Sequence, residues 1–262
     1  MRLDILIENI LKVYASVLRP EALIYRRERG LLDVDERMSV LIQTVKGARY
    51  GKYYFPSLSG VGLSYNNNVN TEKIKWNDPI LRIGVGLGTG IVDIKGAQVK
   101  VIYPGNPDYT TILNFYEILK SSQRNFDALN LESDEVETIS KEELFSYIND
   151  NSEIDDNIKR LIKIMGKYFL STVEQDYLKD GIGLESNLNQ SEHIFTLDGI
   201  KNTKFYSITE NILRQLSEKY NPVDMEFTVD FKIPDGSLSN PDIENIYLTI
   251  VQCRLLTGTR DF

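Results

Sequence analysis

The chain has 262 residues, of which 42% are hydrophobic and 26% are charged, and its formal net charge at pH 7 is −8. This size and composition are ordinary for a globular protein of one or two domains. The acidic balance argues against a dedicated nucleic-acid-binding protein, which normally presents a basic face.

The single cysteine, Cys253, excludes an internal disulfide and a cysteine-based metal site and is typical of a reducing cytoplasm. No apolar run reaches the roughly 18 residues that span a bilayer, and the N-terminus does not resemble a signal peptide. We therefore expect a cytoplasmic protein with no membrane or nucleic-acid partner.

The first 30 residues predict two helices. An amphipathic helix is expected over residues 3–18, with one apolar side formed by Ile5, Ile7, Ile10, Leu11, Tyr14 and Leu18. Pro20 can begin a second helix that runs to about Glu28 and stops at Gly30. This second helix is rich in arginine, and its spacing alone favours a solvated helix face.

Strand patterns and turn residues follow. Residues 38–45 and 59–64 predict strands, and the asparagine-rich residues 65–70 predict a turn. Residues 81–92 predict a strand followed by the glycine-rich run I-G-V-G-L-G-T-G. Such a run is weak evidence for phosphate binding, because it matches neither the Walker pattern nor the dinucleotide fingerprint, and close backbone packing explains its glycines equally well.

Residues 104–203 differ in composition and are predicted to be largely helical. Helices are expected over residues 108–122, from the capping serine Ser140 to about residue 149, and in a stretch containing Ile158 and Phe169. Residues 130–137 are expected to form an acidic loop. His193, the single histidine, is interpreted as an incidental loop or strand residue.

The last third predicts a helix over residues 207–220 and then two strands, 223–227 and 250–254. If these strands are neighbours, Glu226, Gln252 and Arg254 project from one face of the sheet. A carboxylate, an amide oxygen and a guanidinium suit a metal-bound polyphosphate. An ordinary strand pair with a surface ion pair is the alternative. The order of elements predicts an α+β fold, with a mainly antiparallel sheet covered by helices.

Five separated blocks of the chain, in the same order, resemble one family. They are S-V-L-R-P-E-A-L-I-Y-R-R-E-R-G-L, the predicted strand 38–45, the run S-G-V-G-L-S, the run G-L-G-T-G, and D-M-E-F followed by I-V-Q-C-R. These blocks resemble the nucleotide-binding domain of phosphoenolpyruvate synthase and pyruvate, phosphate dikinase. The resemblance covers the second half of that family's ATP-grasp domain.

The resemblance implies a role for each site residue. Glu226 and Gln252 correspond to the family's Mg²⁺ ligands, and Arg254 to its ATP-phosphate contact. The backbone of Gln43, Thr44 and Val45 is implied to bind the adenine edge, and Gly86, Gly88 and Gly90 to let backbone approach the phosphates. Two departures are present: Thr89 replaces the family's glutamate, and Leu255 replaces its proline.

The resemblance also implies an organisation in three parts. Residues 1–103 and 204–262 are expected to form one ATP-grasp-like half domain. Residues 104–203 resemble a helical insertion that a subset of synthase-like proteins carries.

In the family, ATP phosphorylates a histidine on a mobile domain, which then phosphorylates pyruvate. The first ATP-grasp half, the phosphohistidine domain and the pyruvate-binding barrel are expected to lie outside these 262 residues. The chain is therefore expected to bind ATP and Mg²⁺ but to be inactive by itself. One alternative is a degenerate regulatory or scaffolding domain. Another keeps the ATP chemistry with a different acceptor, as in related antibiotic or glucan phosphotransferases.

Overall fold

The computed structural model describes residues 2–66, 74–92, 99–106, 109, 122–150, 166–171, 176–180, 191–232 and 245–255. The chain divides into two compact units, Met1–Val45 and Lys46–Phe262. Within the described ranges, no helix combines the length and the apolar character needed to cross a membrane.

The first unit contains the two predicted helices. Helix α1 spans Arg2–Ala15 and continues into a 3₁₀ turn at Ser16–Leu18, and α2 spans Pro20–Glu28. Pro20 occupies the first helical position, where its missing N–H costs nothing. The end of α2 is fixed by Gly30, whose φ of 65° is readily adopted by glycine. The Leu31 N–H then donates to the Arg26 carbonyl at 2.8 Å, which completes a Schellman motif.

Arg26 is not part of a solvated helix face, contrary to the expectation for the arginine-rich helix. Its side chain is only 15% exposed and pairs with Glu36 at 3.0 Å. It also donates to the carbonyls of Leu31 at 3.0 Å and Val34 at 2.5 Å. This arginine therefore fixes the turn after α2 by satisfying backbone acceptors that the helix leaves open.

The strand predicted for residues 38–45 is wrong, because no strand is assigned before Ala48. An alternating pattern shows that the side chains of a segment would suit a strand, but it does not show that the backbone has a partner. The strand itself exists only where a neighbour completes the backbone hydrogen bonds. In the described chain this ladder begins after Gly47, whose φ is 154°.

The second unit is built on antiparallel sheets, which confirms the α+β class. The strands are β1 Ala48–Tyr50, β2 Tyr53–Phe55, β3 Leu58–Leu63, β4 Ile80–Gly84, β5 Lys100–Ile102, β6 Asn125–Asn130, β7 Glu135–Ser140, β8 Gly166–Ser171, β9 Asp176–Asp180, β10 Ser191–Phe195, β11 Val223–Lys232 and β12 Asn245–Leu255. A five-stranded sheet has the order β12-β11-β3-β4-β5, a four-stranded sheet the order β1-β2-β6-β7, and a three-stranded sheet the order β10-β8-β9. The helical elements of this unit are α3 Thr89–Val92, α4 Lys141–Asp150, a 3₁₀ turn Asp198–Asn202, and α5 Phe205–Tyr220.

Helix α5 covers one face of the five-stranded sheet. It packs on β11 and β3, where the Phe205 and Phe227 rings lie 6.0 Å apart. Gly60 and Gly62 on β3 make room for this contact, since a Cβ at Gly62 would meet Leu213 at 3.0 Å. The buried side chains of the sheet therefore point toward α5, and the opposite face is left for polar residues.

The segment 104–203 contains more strands than predicted. Phe169, expected in a helix, lies in β8, where its strand partners supply the hydrogen bonds that override its helical spacing. The acidic loop shrinks to the turn 131–134, because Glu135 already begins β7. Ser140 does cap α4, since its Oγ accepts from the Glu143 N–H at 3.1 Å, which confirms that helix.

The other helices expected in this segment stay predictions. Residues 158–165 and nearly all of 108–122 lie outside the described residues. The three-part division at residues 103 and 203 also stays a prediction. Strand β2 pairs with β6, so the first and middle parts share a sheet.

Candidate functional site

Strand β11 carries a polar stripe on the sheet face opposite α5. Its residues alternate strictly, with Val223, Met225, Phe227, Val229 and Phe231 buried and the residues between them partly exposed. A period of two is what a strand with one buried face requires. The stripe consists of Asp224, Glu226, Thr228 and Asp230, and we call the sheet face that bears it the polar face.

The register of β12 brings the predicted residues together on the polar face. Glu226 is directly opposite Gln252, and Asp224 is opposite Arg254. Directly opposite residues of an antiparallel pair point to the same side. The register then shifts, because Phe227 pairs with Ile250 and Val251 forms a bulge. The predicted pairing of the two strands is therefore confirmed, while the roles of these residues stay predictions.

Arg254 is held by a carboxylate that the sequence analysis did not single out. Its Nε and Nη2 donate to Asp224 Oδ2 at 3.0 Å and 2.8 Å. This hydrogen bond, together with the charge of Asp224, raises the pKa of Arg254. The arginine side chain is still 60% exposed, so the pair fixes the guanidinium without enclosing it. The expected surface ion pair thus exists and can also orient Arg254.

Several acceptor groups of the polar face have no hydrogen-bond partner among the described residues. In the described part of the chain, Glu226 and Gln252 form no side-chain hydrogen bond or ion pair. The buried Asp224 Oδ1 and Thr228 Oγ1 flank Glu226 and also lack partners there. A buried polar atom without a hydrogen bond is costly, so a ligand that satisfies it is favoured.

These oxygen groups fit a hard divalent cation. Mg²⁺ is usually bound by one or two carboxylates together with substrate phosphates and water. Among the described residues, no group of three or more His, Cys, Asp or Glu side chains is placed to hold a metal ion. A cation here would consequently depend on oxygens that a bound ligand supplies.

The glycine-rich loop lies against the same face of the sheet. It continues from the end of β4, and the Ser59 hydroxyl donates to the Gly86 carbonyl at 2.6 Å. Ser59 pairs with Thr228, which places this contact next to Glu226 along β11. A Cβ at Gly88 would come within 2.7 Å of the Ser59 side chain. The loop and the polar stripe are therefore neighbours.

Strand β6 holds the loop from its other side. The Leu87 N–H donates to the Asp127 carbonyl at 2.8 Å, and the Thr89 hydroxyl donates to the Asp127 carboxylate. That carboxylate also accepts from Thr138 at 2.6 Å. Thr89 is thus part of a defined contact in this chain.

The three glycines of the prediction differ in their surroundings. Gly86 has a φ of 95° and is buried, and a Cβ there would lie 2.7 Å from the Asp127 carbonyl. Gly88 has a φ of 85° and is partly exposed, whereas Gly90 is exposed. Protein packing accounts for Gly86, and Gly88 and Gly90 are the positions more open to a ligand.

The remaining predicted residues lie elsewhere. Gln43, Thr44 and Val45 belong to the first unit and are exposed, in a stretch without assigned secondary structure. His193 lies in β10, as the interpretation of an incidental strand residue allows.

Arg82 is a residue of the polar face that the sequence analysis missed. It lies on β4 opposite Val61, whose other neighbour is Glu226 on β11. The signal was present in Ile80-Leu81-Arg82-Ile83, since a charged residue in an apolar strand marks the face that is not buried.

Comparison with known proteins gives a family for the chain. Neither the curated proteins nor the solved structures include a match. A family model described as pyruvate phosphate dikinase, AMP/ATP-binding domain, matches residues 2–261. The chain therefore belongs to the pyruvate phosphate dikinase AMP/ATP-binding domain family, and it is the nucleotide-binding part of a dikinase-like protein.

Proposed function

We propose that the polar face binds the triphosphate of ATP together with Mg²⁺. One observation supports this proposal: the register places Glu226 and Gln252, whose side chains form no hydrogen bond or ion pair with the described residues, beside Arg254 and the glycine-rich loop. Membership of an AMP/ATP-binding domain family supports a nucleotide as the ligand. The arrangement supplies oxygen ligands for a cation and a guanidinium for phosphate on the same surface.

Each residue then has a distinct task. Glu226 and Gln252 would hold Mg²⁺, which when bound neutralises charge on the phosphates. Arg254, oriented by Asp224, would contact a phosphate oxygen. Gly88 and Gly90 would let backbone approach the phosphates.

We further propose that the bound ATP phosphorylates a histidine supplied by another domain. Transfer of a phosphoryl group depends mainly on positioning and on neutralising charge, which this face is suited to provide. The other ATP-grasp half, a phosphohistidine domain and a pyruvate-binding barrel would be the partners. The single cysteine supports a cytoplasmic location.

The test is a titration of the 262-residue chain with Mg²⁺–ATP by NMR or calorimetry. We expect weak binding, because the residues assigned to the phosphates cover one side of the ligand. Changing Glu226 and Gln252 together to alanine should abolish the Mg²⁺-dependent binding. The matched control is the double change Gln215→Ala and Glu218→Ala, which removes the same residue types from the exposed surface of α5.

Two outcomes would contradict the proposal. Binding that needs no metal and survives the Glu226 and Gln252 changes would show that these residues are not the metal ligands. No binding by the folded chain, or by a longer chain that contains it, would instead support the degenerate regulatory or scaffolding domain. The engagement of Arg254 by Asp224 is the observation that favours this second candidate.

A further inference from the structure

We propose that Arg82 is an additional phosphate-contacting residue of this site, a role that rests on the proposed ATP function. The side chain belongs to β4 of the five-stranded sheet, which pairs with β3 on one side and β5 on the other. Its cross-strand partners are Val61 and Val101. The polar face therefore presents an arginine with a valine on each side.

Among the described residues, Arg82 has no carboxylate partner. The described residues give its guanidinium no hydrogen bond and no ion pair, although its side chain is partly buried. Arginines withdrawn from water are normally paired, because burying a charge without a partner is costly. The other arginine of the face, Arg254, follows this rule through Asp224. Arg82 is consequently a cation whose partner is expected to be a ligand.

The position of Arg82 fits a phosphate chain. One row across the sheet runs from Gln252 through Glu226 and Val61 to Arg82. Neighbouring strands are about 4.8 Å apart, so the backbones of Glu226 and Arg82 are about 10 Å apart. A triphosphate whose cation is bound at Glu226 can extend toward Arg82, and the long arginine side chain can meet it.

The glycine-rich loop borders the same space. Gly84 lies two residues after Arg82 and faces the same side of the sheet. The space above Gly84 is occupied by other side chains, because a Cβ there would meet Gln123 Oε1 at 2.9 Å and Ile91 at 3.0 Å. The loop thus limits the open part of the face on one side of Arg82. Glu226, the loop and Arg82 surround one area, and a guanidinium there suits the bidentate recognition of a phosphate.

The test compares three ligands: Mg²⁺–ATP, Mg²⁺–tripolyphosphate and adenosine. NMR titration of the 262-residue chain should show that Arg82→Met weakens binding of the first two by about tenfold, which is typical of losing a hydrogen bond to a charged group. Adenosine binding should be unchanged. Arg82→Lys should retain part of the affinity, because a lysine keeps the charge and loses the fork.

The matched control is Arg214→Met. Arg214 lies on α5 and already pairs with Glu210 at 2.9 Å, so this change should leave all three affinities unaltered. An equal loss for adenosine, an equal effect of the control, or no effect of either Arg82 variant would overturn the proposal.

The same titrations separate this inference from the proposed function. If tripolyphosphate binding depends on Arg82 while Mg²⁺–ATP does not bind, Arg82 is a phosphate contact and the ATP proposal fails. If Mg²⁺–ATP binding depends on Glu226 and is insensitive to Arg82→Met, the ATP proposal stands and Arg82 has no such role. If neither phosphate ligand binds the folded chain, both are overturned.

Discussion

At the scale of single residues, the polar face shows which side-chain positions an alternating sequence pattern can predict. The alternation in D-M-E-F and I-V-Q-C-R predicted that Glu226, Gln252 and Arg254 share a face, and the register confirms it. The partner of Arg254 could not be predicted, because Asp224 is 30 residues away and meets it only through strand pairing. The local pattern around Arg82 marks it as facing away from the core, but its position in the same row as Glu226 depends on strand pairing and could not be predicted.

Gly86 gives a prediction at this scale. Gly86→Ala should lower the free energy of unfolding by about 2–4 kcal/mol, because it adds a steric clash to an unfavourable positive φ. A Cβ at this position would lie 2.7 Å from a backbone oxygen, which cannot move as a side chain can. Urea unfolding followed by circular dichroism measures the change.

Gly105→Ala is the control for that substitution. Its Cβ would meet the flexible end of Glu210 at 2.9 Å, and Gly105 is not among the glycines with positive φ. The loss should therefore be well below that of Gly86→Ala. Equal losses would show that the backbone of Gly86 is not under the stated constraint.

At the scale of elements, the local signals for helix ends were reliable, whereas an alternating or helical spacing did not always identify which segments become paired strands. The N-terminal helices and α4 are determined by caps and stops such as Pro20, Gly30 and Ser140, which act within a few residues. Residues 38–45 and Phe169 were assigned wrongly, because whether a segment becomes a strand depends on a partner elsewhere in the chain.

The contact between Gln123 and Val85, where β4 continues into the glycine-rich loop, gives a second prediction. The Gln123 side chain accepts from the Val85 N–H at 2.8 Å and donates to the Val85 carbonyl at 3.0 Å. Gln123→Leu should cost about 2–4 kcal/mol, because it leaves both buried groups of Val85 without partners. Hydrogen exchange should quicken at the Val85 amide more than at the Leu87 amide, which bonds to Asp127.

Gln215→Leu, on the exposed surface of α5, provides the comparison. It should change the unfolding free energy by less than about 0.5 kcal/mol. Unaltered exchange at Val85 in the Gln123 variant would show that the Gln123 side chain does not hold the Val85 backbone in place.

At the scale of the whole molecule, a buried tyrosine links stability to alkaline pH. Burial raises the pKa of Tyr206 to about 12, and the charge of Asp198 adds to the shift. A raised pKa means that the folded state holds the proton more tightly than the unfolded state, whose tyrosine titrates near pH 10. The contribution of Tyr206 to the unfolding free energy is therefore fully present below pH 10, and it is lost as the pH rises toward 12.

Between pH 10 and 12, ionisation of Tyr206 should lower the unfolding free energy of the wild type by about 2 kcal/mol. The Tyr206→Phe variant should not show this loss. Urea unfolding at a series of pH values measures this loss. Tyr220→Phe, an exposed position on the same helix, should leave the pH dependence unchanged. Identical pH profiles for the wild type and Tyr206→Phe would contradict the assignment.

The sequence by itself determined the α+β class, the N-terminal helices, α4 and the shared face of Glu226, Gln252 and Arg254. These features follow from caps, turns and a period of two, which act over a few residues or along one strand. The tertiary structure alone decided which segments became paired strands, how β6 holds the glycine-rich loop, and which polar groups were left without partners. Those properties depend on backbone hydrogen bonds and burial between segments far apart in the chain, and no local pattern specifies them.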